Sequence, residues 1–199
     1  MRQLSIKLGY WSAILSASAF ILFTLCFVAI LILNPLFLWT NFEDWVAYNL
    51  QYNQSFKYLA QLMMLLFGPL FVVLLNSIHD YAPIEKRILS RISISFAIIF
   101  AALTGMHYFI QISIVRLSLA QGRLQGLEQF IQANPTSALA GINMLGWTLF
   151  FGLSCLFIAP VFSGGRVEIQ STHSLCSEPL QQRLFLLHRS ELLRKKQTK

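Results

Sequence analysis

The chain has 199 residues, a mean hydropathy of +0.61 and only 12% charged residues against 56% hydrophobic ones. A soluble domain carries about a quarter charged residues, so an ordinary water-soluble globule is excluded and bilayer spans are expected. The net charge of +7 does not point to nucleic acid, because seven of the fifteen Lys and Arg residues fall after residue 163, as a basic tail on an apolar body.

Four runs are long and apolar enough to cross a membrane, which takes about 20 residues at ~1.5 Å rise each. They cover about residues 10–33, 58–78, 92–115 and 138–162, and none contains Asp, Glu, Lys or Arg. The predicted fold is therefore all-α: a polytopic helical membrane domain over 1–163, followed by a basic cytoplasmic tail over 164–199. The first run follows Arg2 and Lys7, as a signal peptide would. Its apolar core exceeds the ~7–15 residues of such a leader, and no small-x-small cleavage site follows, so it reads as a retained helix. It ends at Asn34-Pro35, since the residue before proline leaves the helical region. Ser12 with Ser16 and Ala13 with Ala17 place small residues at helical spacing, which suits close packing against a partner helix.

The 34–57 loop contains TNFEDWVAYNL. Thr40 and Glu43 have capping-box spacing, and Phe42, Trp45, Val46 and Leu50 share a face, which predicts a short amphipathic interfacial helix. Trp11, Trp39, Trp45 and Tyr58 fall near span boundaries, where interfacial aromatics belong. In the second run, Gly68-Pro69 lies near the middle and predicts a kink, with a hinge or broken helix as the functional alternative. On the cytoplasmic face, Asn76, His79, Asp80, Lys86, Arg87 and Arg91 form a mixed polar cluster. It reads as a solvated loop, with headgroup binding by Lys86, Arg87 and Arg91 as the alternative.

The third run, ISISFAIIFAALTGMHYFIQISIV, carries a histidine and a glutamine four residues apart. His107 and Gln111 share one face, which Thr104 continues. Gln61 of the second run and Asn143 of the fourth fall at a similar depth. Unpaired amides are costly in hydrocarbon, so these five side chains are expected to face one another or a wet cavity. Two meanings stand: interhelical hydrogen bonds that set packing, or an outward-facing pocket for a small polar ligand or proton with His107 as its titratable member. Asn134-Pro135-Thr136-Ser137 is a turn that caps the fourth run, and Leu124, Leu127, Phe130 and Ile131 before it form a second amphipathic stripe.

Twelve Lys and Arg residues lie on the side of the termini and the 79–91 loop, and three (Lys57, Arg116, Arg123) on the other. That asymmetry predicts both termini in the cytoplasm and the chain in the plasma (inner) membrane. Cofactor and metal patterns are missing. His79 and His107 are ~24 Å apart along the helix axis, too far for one haem iron. Cys26, Cys155 and Cys176 have no ligand spacing, and no HExxH, GxSxG, Walker loop or intramembrane carboxylate occurs. The expectation is thus a non-enzymatic, cofactor-free sensory, accessory or assembly component, bound to membrane lipid and acting through helix–helix contacts as a homo- or hetero-oligomer. The alternative is a small-solute transporter or ligand-binding protein.

HYFIQISIVR (107–116), GLEQFIQANPTSALAGINMLGWTLFFGL (126–153) and APVFSGGRVE (159–168) resemble a group of prokaryotic multi-pass membrane proteins without an established activity. The resemblance covers roughly residues 58–168 and implies a helical membrane fold. Members continue after the GGR turn with further apolar spans, where this chain has none; its tail is expected to be a divergent terminus or the product of truncation or a frame change. Within the tail, Leu180, Leu184 and Leu187 share a face amid Arg and Lys, which suits either a basic amphipathic helix on the inner leaflet or weak order.

Overall fold

The computed structural model describes residues 2–162, so the tail and its leucine stripe lie outside the described residues. Residues 1–161 form one compact unit. The architecture is all-helical, and four helices are long and apolar enough to span a membrane: Gln3–Leu33, Ser55–Tyr81, Ile84–Ala120 and Ala138–Phe162. Leu15, Ile21, Leu25, Ile98, Phe109 and Leu156 on these helices are exposed on the bundle's outside. So much exposed apolar surface is unfavourable in water and favourable against lipid chains. The chain is a membrane protein.

Helix α1 (Arg2–Leu33) packs on α3 (Ser55–Tyr81), α3 packs on α4 (Arg87–Ile110), and the fourth span packs on α4. Small residues set the first contact. Ser12, Ser16, Ala19 and Cys26 are buried on one side of α1. At Gly9 a Cβ would come within 2.9 Å of the Ser77 Cβ of α3. The serines expected to meet a partner molecule therefore pack within the chain. Ala17 stays exposed, and Ala13 is half-buried.

Helix α3 runs unbroken through Gly68-Pro69, so the broken-helix alternative to the expected kink is not realised. Proline removes one backbone donor, a loss that a packed membrane helix tolerates. Gly68 acts on packing instead: a Cβ there would lie 3.1 Å from the Ala101 Cα and 3.5 Å from the Thr104 Oγ1. On the other side of the same threonine, a Cβ on Gly146 would lie 3.2 Å from its Cγ2. Thr104 is thus seated between two glycines, and α4 runs close to both neighbours.

The third span is longer than its apolar run. A 3-10 turn (Ile84–Lys86) leads into α4, a π turn (Gln111–Val115) extends it, and α5 (Arg116–Ala120) completes it. The fourth span comprises α6 (Ala138–Met144), a π turn (Leu145–Phe151) and α7 (Gly152–Phe162). Ser137 caps α6 as expected, its hydroxyl accepting from Ala140 N–H at 3.0 Å. Deeper in, Ser93 and Ser154 lock α4 to α7 reciprocally, each hydroxyl donating to the other's carbonyl at 2.8 and 3.0 Å.

Helix α2 (Phe42–Gln51) differs from its expectation in two respects. Its cap is Asn41 rather than Thr40: the Asn41 Oδ1 accepts from Asp44 N–H at 2.8 Å, while Asp44, not Glu43, closes the box by accepting from Asn41 Nδ2 and Thr40 Oγ1. Asparagine is at least as good a cap as threonine. The helix also turns Trp45 and Asn49 inward and leaves Leu50 exposed. Trp45 packs with Val115, Leu119, Leu127 and Ile131, so it is a core residue of the bundle end and not an interfacial anchor. The second stripe forms only a 3-10 turn (Leu127–Phe130), entered through Gly126 at φ 75°, a left-handed conformation that glycine adopts without strain. Leu127 and Ile131 are buried there, and Phe130 is exposed.

At the opposite end, the loop cluster is mostly engaged within the protein. Lys86 Nζ donates to the Pro160 carbonyl at 2.7 Å, and the Arg87 Nε to the Ala82 carbonyl at 3.4 Å. His79 Nδ1 pairs with the Ser90 hydroxyl at 2.6 Å, and Ser5 donates to Asp80. Asn76 donates back to the Val72 carbonyl, while Arg91 is exposed. Lys86 and Arg87 are thus engaged with carbonyls of the chain itself.

Candidate functional site: a half-apolar cavity

A cavity of about 300 Å³ lies where α1 ends, α3 begins and α4 passes into its π turn. Phe23, Phe27, Ile30 and Leu31 of α1 form one wall, and Leu36 and Phe37 of the following segment continue it. Trp45, Tyr48 and Asn49 of α2 close a second side. Lys57, Ala60 and Gln61 of α3, Tyr108 of α4, Gln111, and the loop residues Gln132 and Ala133 also line it. Apolar side chains and a few convergent polar groups are the composition of a small-molecule site, and the volume lies at the lower bound of about 300–1,000 Å³ for such sites.

The polar end has a definite wiring. Asn49 Nδ2 donates to the Trp45 carbonyl at 2.7 Å, which fixes the amide and turns its oxygen to the Lys57 ammonium, a hydrogen bond to that oxygen. Lys57 Nζ also lies 5.7 Å from the Trp45 ring centroid and 5.3 Å from that of Tyr58, while Arg116 covers Tyr58 at 5.1 Å. Both distances from Lys57 are within cation–π reach. Gln61 Nε2 donates to Gln132 Oε1 at 3.0 Å, and Gln111 donates to the Phe130 carbonyl. At the rim, Tyr48 donates to the Pro35 carbonyl at 3.0 Å, and its burial raises the phenol above its ordinary range.

The five side chains expected to form one polar cluster separate into four settings. Gln61 and Gln111 line the cavity. His107 lies beside it and fully buried, its Nδ1 on the Leu139 carbonyl at 3.2 Å, so that α4 is tied to the first turn of α6. This contact requires the proton on Nδ1. The Nε2 atom of the same ring has no hydrogen-bond partner. Thr104 donates to the Phe100 carbonyl of its own helix at 2.8 Å and serves the glycine seat, not the cavity. Asn143 is half-buried on the fourth span, which contributes nothing to the cavity lining. The pocket alternative is thus corrected for His107, Thr104 and Asn143, none of which lines the cavity, while the His107–Leu139 contact is an interhelical hydrogen bond of the packing kind.

Three of the cluster's atoms nevertheless stand out. Among the described residues, the buried polar atoms without a partner are Ser16 Oγ, Gln61 Oε1, His107 Nε2 and Asn143 Oδ1. Buried orphans are rare in native structures and call for an explanation. Only the Gln61 oxygen belongs to a cavity-lining residue.

Several lining residues escaped the sequence reading. In the sequence Lys57 reads only as a loop charge, yet it sits in the first turn of α3 and lines the cavity. Asn49 lies four residues after Trp45 on the buried face of α2, a spacing that the apolar pattern alone overlooks. Gln132 comes from an irregular loop with no periodicity to read. No family model, curated protein or solved structure matches the chain.

Proposed function

We propose that this chain is a non-enzymatic, membrane-embedded binding protein for a small amphipathic molecule held in the α1–α2–α3 cavity. The observation that carries the reading is the cavity's two-sided lining: a hydrocarbon wall from α1 at one side and amides with a lysine at the other. Phe27 and Leu31 line the cavity and are also exposed on the outside of α1, so the apolar wall is continuous with the lipid-facing surface. A ligand that partitions into the bilayer reaches such a site sideways. Helix-contact function has less support, since Ser12 and Ser16 pack inside the chain. The resemblance to prokaryotic multi-pass proteins suits the same reading without naming a ligand.

Two experiments test it. A chain-brominated octadecanol, added to the protein in nonionic detergent, is expected to quench Trp45 fluorescence saturably at one equivalent, because Trp45 lines the cavity. Filling the space with Ala60→Phe, or from the loop with Ala133→Trp, is expected to remove the saturable part while the protein still elutes as a monodisperse species. Quenching that never saturates, or that both variants retain, would sink the reading. The charge asymmetry of twelve Lys and Arg against three further predicts both termini inside and the cavity near the outer leaflet of a plasma membrane. Reporter fusions at residue 1 and residue 199 should both report cytoplasm, and one at residue 53 the opposite side.

A further inference from the structure

We infer that the cavity's natural occupant is an anionic single-chain amphiphile whose headgroup is neutralised by Lys57, an inference that rests on the binding reading above. None of the side chains lining the cavity is acidic. The Lys57 ammonium is held by the Asn49 oxygen and two aromatic faces, all of them neutral groups. A cation drawn into low-dielectric surroundings without a counter-charge is unfavourable, and an anion entering the same space relieves that penalty. Three ammonium protons are available and Asn49 takes one, so the remainder can serve a ligand oxygen.

Gln61 supplies the second, independent feature. Its side chain is 4% exposed, it lines the cavity, and its Oε1 has no partner. Its amide nitrogen is bonded to Gln132 Oε1 at 3.0 Å. Amide orientation is set by the hydrogen-bond network, and turning both carboxamides over together preserves their mutual bond while presenting the Gln61 nitrogen in place of its oxygen. The pair therefore accepts from a hydroxyl or protonated acid in one setting and donates to an anion oxygen in the other. Lys57 decides between them, because its charge favours the anion.

Size restricts the rest of the molecule. A cavity of about 300 Å³ holds one hydrocarbon chain with a compact headgroup, and a two-chain lipid would leave its second chain outside. The chain lies along Phe23, Phe27, Ile30 and Leu31, away from the lysine. A long-chain carboxylate and an alkyl phosphate monoester share this chemistry, and the test separates them.

The full chain in nonionic detergent is titrated at neutral pH with chain-brominated octadecanoate, octadecyl phosphate and octadecanol, each read by Trp45 quenching. At least one anion is expected to bind tenfold or more tightly than the alcohol, and the stronger of the two identifies the headgroup. Lys57→Met is expected to abolish the preference for the anion over the alcohol, and Lys57→Arg to retain it. A lysine that merely reaches the interface with its charged end would leave the preference intact in Lys57→Met, and that result overturns the inference. Equal binding of acid, phosphate and alcohol by the wild type overturns it too, with the cavity reading still standing. Failure of all three chains to bind overturns both.

Discussion

Gly68→Leu is expected to destroy the folded bundle, and Gly68→Ala to weaken it measurably. The reason is distance. A Cβ at this position lies 3.1 Å from the Ala101 Cα and 3.2 Å from its Cβ, and backbone atoms on a packed helix cannot swing aside as the end of a long side chain can. Alanine requires α3 and α4 to separate by a few tenths of an ångström, and overpacking of this kind costs about 1–3 kcal/mol. Leucine adds three more carbons to the same contact and pushes apart the helices that bury Phe67, Phe100 and Met64. Most of a marginal membrane protein's stability, about 5–15 kcal/mol in total for a typical domain, is then at risk. Unfolding by sodium dodecyl sulfate in bicelles is the measurement. Gly68→Ala should lower the midpoint, and Gly68→Leu should leave no cooperative transition. Pro69→Ala is the contrast: the helix is already continuous there, so restoring an N–H changes stability by less than about 1 kcal/mol. If Gly68→Leu and Pro69→Ala behaved alike, the close-packing role of the glycine would be refuted.

The same dipeptide shows what the sequence can and cannot say. Spans were legible because a bilayer imposes one simple demand, an uncharged helix of sufficient length, and four runs meet it; the second and fourth match their observed ends to within about three residues, while the first and third helices run on past the apolar runs into charged residues. The functional meaning of Gly68-Pro69 was not legible, because hinge and close contact use the same residues. What decides is Ala101, 33 positions away and invisible to local pattern. The polar cluster was half legible for a related reason. Helical spacing correctly put His107 and Gln111 on one side of a helix, and both are buried. Depth matching then grouped them with Asn143, but depth ignores rotation, and the fourth span contributes nothing to the cavity. Lys57 shows the opposite failure. Its charge made it an orientation marker in the sequence, and only the docking of α2 through Trp45 and Asn49 shows that it faces a cavity.

Phe100→Ala is expected to be the most damaging large-to-small change in the bundle, yet milder than the same change in a soluble core. Phe100 is 0% exposed and lies at the centre of an aromatic cluster: Trp147 at 4.9 Å, Phe151 at 5.1 Å, Phe71 at 6.1 Å and Phe67 at 6.3 Å between ring centroids. Three of these meet it edge to face, the arrangement that aromatic quadrupoles favour. In water, Phe→Ala costs about 3–5 kcal/mol, part of it the transfer of apolar surface. A membrane helix that separates from its neighbours exposes that ring to lipid, which is as apolar as the core, so the transfer part largely vanishes. The cavity part remains: a void on the order of 100 Å³ at ~24 cal/mol per Å³ costs about 2.4 kcal/mol. Loss of the ring contacts is included in that figure, because a void is the absence of partner atoms. Phe109 supplies the control. It belongs to the same helix and is 60% exposed, so Phe109→Ala opens no cavity and should shift stability by under about 0.5 kcal/mol. A double-mutant cycle between Phe100 and Trp147 should return a coupling of about 0.5–1.5 kcal/mol. Neither ring site touches the α1–α2–α3 cavity except through the fold, so the folded fraction of Phe100→Ala should still quench with brominated ligand. Equal destabilisation by Phe100→Ala and Phe109→Ala would mean that packing between these helices is not what holds them together.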